Sequence, residues 1–196
     1  MTDKRVIRSK KVFNDTLVTL LKKKDFSKIT VSEIIRTSDL NRSTFYQHYN
    51  SKEDLLKEAM ENEVEGIKQA LYEPFQNSNS VVLEADRLSL IRVFEYIYQN
   101  KKFFSTVLSS SLAIDFLKKI HEELIYHGHH NLTYSFNPAS TVNVDLYIQY
   151  GMSALIGLIA NWIGNDFPYT PEELSKELSK IIVTAPEAVS FLSKEK

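Results

Sequence analysis

Between Asn41 and Lys52 the chain reads Asn-Arg-Ser-Thr-Phe-Tyr-Gln-His-Tyr-Asn-Ser-Lys. Arg42, Ser43, Thr44, Gln47 and His48 bring donors and acceptors together within seven positions, and none of the five is acidic. Phe45 and Tyr49 lie four apart, so in a helix they share one face. A short helix with an apolar back and such a front suits the major groove of DNA, where base edges offer a distinct pattern of donors and acceptors. The chemistry on offer is recognition rather than catalysis.

Such a helix needs a frame, and the flanking residues supply the signals for one. Phe13, Leu17, Leu20 and Leu21 fall at i, i+4, i+7 and i+8, the stripe of a first helix. Lys22–Lys24 then suit a helix C-terminus. Thr30-Val31-Ser32-Glu33 is a capping box, which starts a second helix at Val31. Its apolar face is Ile34 and Ile35, and it is predicted to end near Thr37. Ser38-Asp39-Leu40 forms a turn, and Asn41 is the expected N-cap of the third helix. Two short helices joined by so short a turn form a helix-turn-helix. Ser51 caps a long fourth helix with the stripe Leu56, Met60, Val64, Ile67 and Leu71. Pro74 and the polar run Gln76–Ser80 should end it.

Charge is divided along the chain. Residues 1–60 hold 13 Lys and Arg against 8 Asp and Glu, a net +5, while 61–196 hold 11 against 17, a net −6. A basic head on an acidic body is expected when only the head meets nucleic acid. Lys4, Arg5, Arg8, Lys10 and Lys11 read as a frayed basic arm that can touch phosphates. Cysteine is absent, which excludes disulfides and thiolate chemistry. Neither a Gly-rich phosphate loop nor a nucleophile motif is present, so an enzyme is not expected, and no cofactor is called for. The charged N-terminus lacks the apolar run of a signal peptide, which fits the cytoplasm.

Beyond the fourth helix the pattern stays helical, and the fold class is all-α. Leu90, Phe94 and Ile97 form one stripe; Phe103, Phe104, Val107 and Leu108 a short helix; Leu112, Phe116, Ile120 and Leu124 another. His127–Pro138 reads as irregular, with Gly128, Asn131, Asn137 and Pro138 as breakers. A long helix covers about 140–163 and stops at Gly164. Thr170-Pro171-Glu172-Glu173 opens the last one, ended or kinked by Pro186. Leu146–Asn165 is twenty residues without a charge, long enough to span a membrane. Gln149, Asn161 and Asn165 within it and Asp145 and Asp166 beside it point instead to a helix buried in a soluble oligomer, with no membrane. Gly151, Ala154, Gly157 and Ala160 allow close helix approach. With Leu158, and with Leu174, Leu178, Ile181 and Ile182 of the last helix, they are the expected contacts of a homodimer built as a four-helix bundle. His121, His127, His129 and His130 invite a metal reading, but nothing in their spacing enforces a tetrahedral site, and no metal is expected.

Residues 30–56 resemble the DNA-binding signature of the TetR family of transcriptional regulators. The resemblance is carried by Ile29-Thr30-Val31, Glu33-Ile34, Leu40 through Tyr46, His48-Tyr49, Ser51-Lys52-Glu53 and Leu55. It is most specific in the run Thr44-Phe45-Tyr46-Gln47-His48-Tyr49 and Lys52. Trp162 with Phe167-Pro168-Tyr169-Thr170-Pro171 is similar to the regulatory domain of a branch common in low-GC Gram-positive bacteria. One departure is Ser38-Asp39 where the family has Ala-Gly; Asp tolerates the left-handed backbone better than most residues. The resemblance implies a DNA-binding domain over 1–50 and a helical regulatory and dimerisation domain over 51–196. It makes Arg42, Ser43, Thr44, Gln47 and His48 groove-facing, with Arg42 suited to guanine and Gln47 to adenine. Thr30, Tyr46 and Lys52 become phosphate contacts. It also implies a small-molecule effector held among Phe94, Tyr98, Phe103, Phe104, Phe116, Tyr126, Tyr150 and Trp162, although such rings equally well form plain core. The function implied is a repressor that binds a palindromic operator as a dimer and is released by an apolar or aromatic effector. The alternatives are a co-regulator or activator controlled by a protein partner, and an interaction module with a vestigial DNA head.

Overall fold

In the computed structural model, residues 4–72, 90–131 and 141–183 are described, and they contain helices and no strand. The head is α1 (Lys4–Leu21), a 3-10 turn (Phe26–Lys28), α2 (Val31–Ser38) and α3 (Arg42–His48). The 21-residue α4 (Lys52–Tyr72) runs on from it into the body. The body adds α5 (Ile91–Gln99), α6 (Lys101–Leu108), α7 (Ala113–Asn131), α8 (Val144–Gly164) and α9 (Pro171–Val183). Pro74, the run Gln76–Ser80, Asn137, Pro138 and Pro186 lie outside the described residues.

Local chemistry accounts for most of the boundaries. Thr30 accepts a hydrogen bond from the Glu33 N–H at 3.2 Å, and Ser51 accepts one from the Asp54 N–H at 3.1 Å, so both act as N-caps. Thr170 and Glu173 close a reciprocal capping box at 3.2 and 2.8 Å. Between α2 and α3, Asp39 takes up the left-handed conformation at φ 55°, ψ 28°, as the departure from Gly at this position requires. Three boundaries differ from expectation. Lys4–Lys10 form the first turns of α1 rather than a frayed arm, and Lys10 pairs with Glu58 of α4. Asn41 has the extended backbone of a cap but makes no side-chain capping bond. His127–His130 belong to α7, because Gly128 is buried and tertiary packing overrides its weak helix propensity.

The core is continuous from head to body. Phe13 and Leu17 of α1, Ile34 of α2 and Phe45 of α3 meet Leu55 of α4, all nearly solvent-free. In the body α5 packs on α4 and α9, and α8 packs on α6 and α7. Tyr96 of α5 lies so close to α4 that a Cβ at Gly66 would stand 2.0 Å from its hydroxyl oxygen; that hydroxyl donates to Glu63 at 2.9 Å. Asp166 and Phe167, both at φ 57°, turn the chain sharply after α8. Phe167 thereby comes to stand edge-on against Trp162, ring centroids 4.9 Å apart, and the Trp162 indole N–H donates to the Tyr169 carbonyl at 2.8 Å.

The aromatic residues of the body do not form one lining. Phe94, Phe103, Phe104, Phe116 and Trp162 are buried with their rings against one another, for example Phe94 to Trp162 and Phe103 to Phe116, each at 5.6 Å. Tyr126 and Tyr150 are exposed, the latter 77%. Tyr98 is partly exposed and stacks on Trp162 at 6.3 Å, with the Lys101 ammonium 4.7 Å above its ring. The dimer residues divide likewise. Leu174 is inside the subunit, where α9 packs on α5, and Leu178 leans on that same core, so neither belongs to an outer face. Ile181, Ile182, Gly151 and Ala154 are exposed, and Leu158 is half-buried. A methyl group built on Gly151 or Gly157 meets nothing within 4 Å, so the subunit itself has no packing need for glycine there. α8 is long and apolar enough to cross a membrane, and 33% of its most apolar 18 residues is buried within the subunit.

Candidate nucleic-acid interface

A residue advances about 100° around an α-helix. With Phe45 and Tyr49 turned into the head, Ser43 and Gln47 fall opposite them, at the centre of the outer face of α3. Both are exposed. Phe45 and Tyr49 are 0% and 3% exposed and are fixed against Phe13, at 5.2 and 6.2 Å between centroids. The Tyr49 hydroxyl donates to Glu58 at 2.7 Å. Burial pushes its acidity down, raising the phenol pKa, and the Glu58 carboxylate adds to that. Glu58 also takes Lys10, so α1, α3 and α4 are pinned at one point.

On one flank Arg42 and Tyr46 are exposed together. The guanidinium lies 5.3 Å over the Tyr46 ring, and Nη2 reaches the hydroxyl at 3.4 Å. This cation–π contact orders a long side chain at the edge of the reading face. On the other flank Thr44 is half-buried, and His48 turns back toward α1, where Nε2 stands 2.8 Å from Ser9 Oγ. The Ser9 hydroxyl has backbone carbonyls of Arg5 and Val6 as acceptors at 3.0 and 3.1 Å. The Ser9–His48 contact joins α1 to α3, with the donor set by the His48 tautomer. His48 therefore sits at the α1 boundary of the reading face, not at its front.

Lys52, at the start of α4, is turned toward the 3-10 turn. Its ammonium donates to the carbonyls of Phe26, Ser27 and Ile29 at 2.9, 3.3 and 2.8 Å and lies 4.5 Å from the Phe26 ring. The Glu53 carboxylate also faces the ammonium, at 3.9 Å. The 3-10 turn is also tied from the body. Asp25 accepts from Ser111, after α6, at 2.6 Å and from Ser27 at 2.7 and 2.9 Å. The Ser111 bond and then the Ser27 bonds hold the Asp25 carboxyl down at about 2. Thr30, next along, is exposed at the start of α2, and Glu33 one turn later pairs with Lys24 at 2.6 Å. That contact draws the Glu33 carboxyl below its usual range. Ser9, Asp25, Glu58 and Ser111 are invisible to local spacing, because their partners stand up to 86 residues away. Among the described residues no three His, Asp or Glu converge as a metal would need. His121 instead contacts Ser153 at 3.0 Å, and His130 stacks on Tyr126 at 4.1 Å.

Comparison with known proteins matches this geometry. Residues 15–59 match the family described as bacterial regulatory proteins, tetR family, and residues 88–184 match its transcriptional regulator C-terminal region. The chain is similar to the uncharacterized HTH-type transcriptional regulator YxbF of Bacillus subtilis (strain 168), 24% identical over 170 residues. That alignment covers 86% of this chain but spans only 43% of the relative's length. It is also similar to the crystal structure of a TetR transcriptional regulator from Streptococcus agalactiae 2603V: TM-score 0.54, 25% identity, 92% of this chain and 96% of that one. A TetR-family regulator from Syntrophomonas wolfei str. Goettingen shares the fold at TM-score 0.66 and 20% identity, covering 89% and 92% of the two chains. A non-enzymatic, all-α protein with a helix-turn-helix head and a helical C-terminal region, this chain belongs to the TetR family of bacterial transcriptional regulators.

Proposed function

We propose that this regulator works in the cytoplasm as a homodimer, represses transcription from a palindromic operator, and is released by a small apolar or aromatic effector. The observation that carries the DNA half is the outer face of α3. Ser43 and Gln47 are exposed at its centre with Arg42 ordered beside them, on a helix fixed by the buried Phe45 and Tyr49. Arg42 has the fork that guanine O6 and N7 accept, and Gln47 the amide that adenine accepts. Thr30 and Tyr46 stand exposed at the margins, where phosphates run.

The dimer half rests on α8. Leu146, Tyr150, Ala154 and Gly157 lie on one outward face, with Leu146 64% exposed. A second copy of that helix would cover it, with Ile181 and Ile182 of α9 alongside. Two heads would then address major grooves roughly 34 Å apart. A ligand releases such a dimer only if it binds the non-operator shape of the body more tightly than the operator shape.

A second reading, control by a protein partner, draws on one observation: Phe94, Phe103, Phe104, Phe116 and Trp162 already fill their own core. Selection of duplexes from a random library, followed by titration against salt, tests the DNA claim. Affinity insensitive to salt would refute it. Sedimentation at micromolar concentration tests the dimer. Thermal shift across a panel of apolar and aromatic compounds separates the two control readings, since a partner-controlled regulator is stabilised by none of them.

A further inference from the structure

Arg42 and Tyr46 lie one turn apart on α3 and meet at the edge of its outer face. The guanidinium carbon stands over the Tyr46 ring, 5.3 Å from its centre, and Nη2 is 3.4 Å from the hydroxyl oxygen. That hydrogen bond is long, so the ring face is the stronger of the two contacts. The ring is itself held from the core side. It stands edge to face with the fully buried Phe45, 5.5 Å between centroids and at 84°. Among the described residues no carboxylate pairs with Arg42, so no acid draws the guanidinium elsewhere. A guanidinium stacked by its face keeps in-plane donors for a bidentate contact with a base.

We propose that Tyr46 is a positioning residue for base reading: its ring, seated on Phe45, holds the Arg42 guanidinium in the pose that reads a base, so the base preference carried by Arg42 depends on that ring. The inference rests on the reading of α3 as the DNA-facing helix and deepens it. A free arginine side chain has many rotamers to lose. On a mismatched sequence it can swing to a nearby phosphate and recover part of the lost contact, which flattens preference. Held on the ring, it loses that escape, and the wrong base faces a donor fork left unpaired. At an exposed site a cation–π contact favours the stacked pose by about two- to fivefold, and this sets the size of the effect. Ring and hydroxyl thus have separate tasks. The ring serves discrimination between bases. The hydroxyl, at the margin where phosphates run, serves affinity that is alike for every sequence.

The experiment uses the whole chain and a duplex that the wild-type protein enriches from a random library. Competition among its single-base variants locates the position whose preference Arg42→Ala removes. Tyr46→Leu is expected to weaken preference at that same position about two- to fivefold, with the ratios at other positions unchanged. Tyr46→Phe keeps the ring and should leave that preference in place while lowering affinity alike on all variants. With Arg42→Ala already present, Tyr46→Leu should take nothing further from preference there. A second readout needs no DNA. The Tyr46 ring current should displace the Arg42 δ-methylene resonances in the wild-type protein and in Tyr46→Phe, and the displacement should vanish in Tyr46→Leu. Preference intact in Tyr46→Leu would overturn the proposal. So would an equal loss at every position, which marks a general defect of α3, or an Arg42 resonance that Tyr46→Leu does not move. Should the leucine variant not fold, the wild-type resonance decides: a position equal to that of an unstructured arginine overturns the proposal, and a displaced one supports it. If the wild-type protein enriches no duplex, the DNA reading itself falls and takes this inference with it. If a duplex is enriched and Arg42→Ala leaves every base preference in place, this inference alone falls.

Discussion

Gly66 is where α4, the helix shared by head and body, makes its closest approach to α5. A Cβ there would stand 2.0 Å from the Tyr96 hydroxyl oxygen, 2.1 Å from its Cζ and 2.6 Å from Cε2. Gly66→Ala therefore requires the ring to move, because real Cβ contacts do not fall below about 3 Å. Moving it breaks the hydrogen bond from Tyr96 to the partly buried Glu63. A bond to a charged acceptor contributes roughly 1.5–3 kcal/mol, and overpacking costs about 1–3 kcal/mol. Against this, alanine is favoured over glycine inside a helix by about 1 kcal/mol. The expected net is a loss of roughly 1.5–5 kcal/mol, read from urea unfolding followed by far-ultraviolet circular dichroism. In a Tyr96→Ala background the clash is gone and only propensity remains. There Gly66→Ala should stabilise by about 1 kcal/mol. The reversal of sign is the diagnostic result. A Gly66→Ala protein as stable as wild type, with Tyr96 present, would show that the ring moves aside freely and that the contact does not hold α5 to α4.

Four further outcomes are expected. Arg42→Ala should relax base preference at one operator position, at a cost of about 1–3 kcal/mol, measured by competition among single-base variants of the enriched duplex. Ala154→Arg on the exposed face of α8 should give a monomer by sedimentation with helical content unchanged, since the side chain has room on the subunit surface. Burial raises the Glu63 carboxyl above its ordinary 4.5, so its contribution to stability is fully present below 4.5 and is lost as pH rises through the raised value. Glu63→Gln should remove that decline and leave the protein at least as stable as wild type near neutral pH. Ser111→Ala removes the largest influence on Asp25, whose carboxyl should then titrate above its present value of about 2, as followed by NMR.

Short-range chemistry made much of the fold legible in the sequence. The caps Thr30, Ser51 and Thr170 each bond a backbone N–H three residues away, so the information for them is local. The stripes that bury Phe13, Leu17, Phe45 and Tyr49 repeat at helical spacing for the same reason. What escaped was set by distant partners. His48 turns aside because Ser9 is within reach, and Lys52 is turned toward carbonyls 23 to 26 residues away. Leu174 has the same spacing as an interface residue, and only the position of α5 decides that it faces inward. The rings of the body were ambiguous because a cavity wall and a core need the same residues; packing of Phe94 on Trp162 resolves that pair as core.

Trp162 is the single tryptophan of the chain. It lies where α5, α8 and the turn into α9 meet, 2% exposed, with Tyr98, Phe94 and Phe167 around its ring and its N–H held by a backbone carbonyl. The protein thus carries one indole, whose emission can be excited apart from that of the tyrosines, and the head has no tryptophan. Trp162 is buried in the body, outside the helices of the head. A change in its emission wavelength or intensity on titrating a duplex would therefore register a rearrangement of the body caused by events in the head, with no label attached. A compound that shifts it in the opposite sense would identify itself as an effector in the same cuvette.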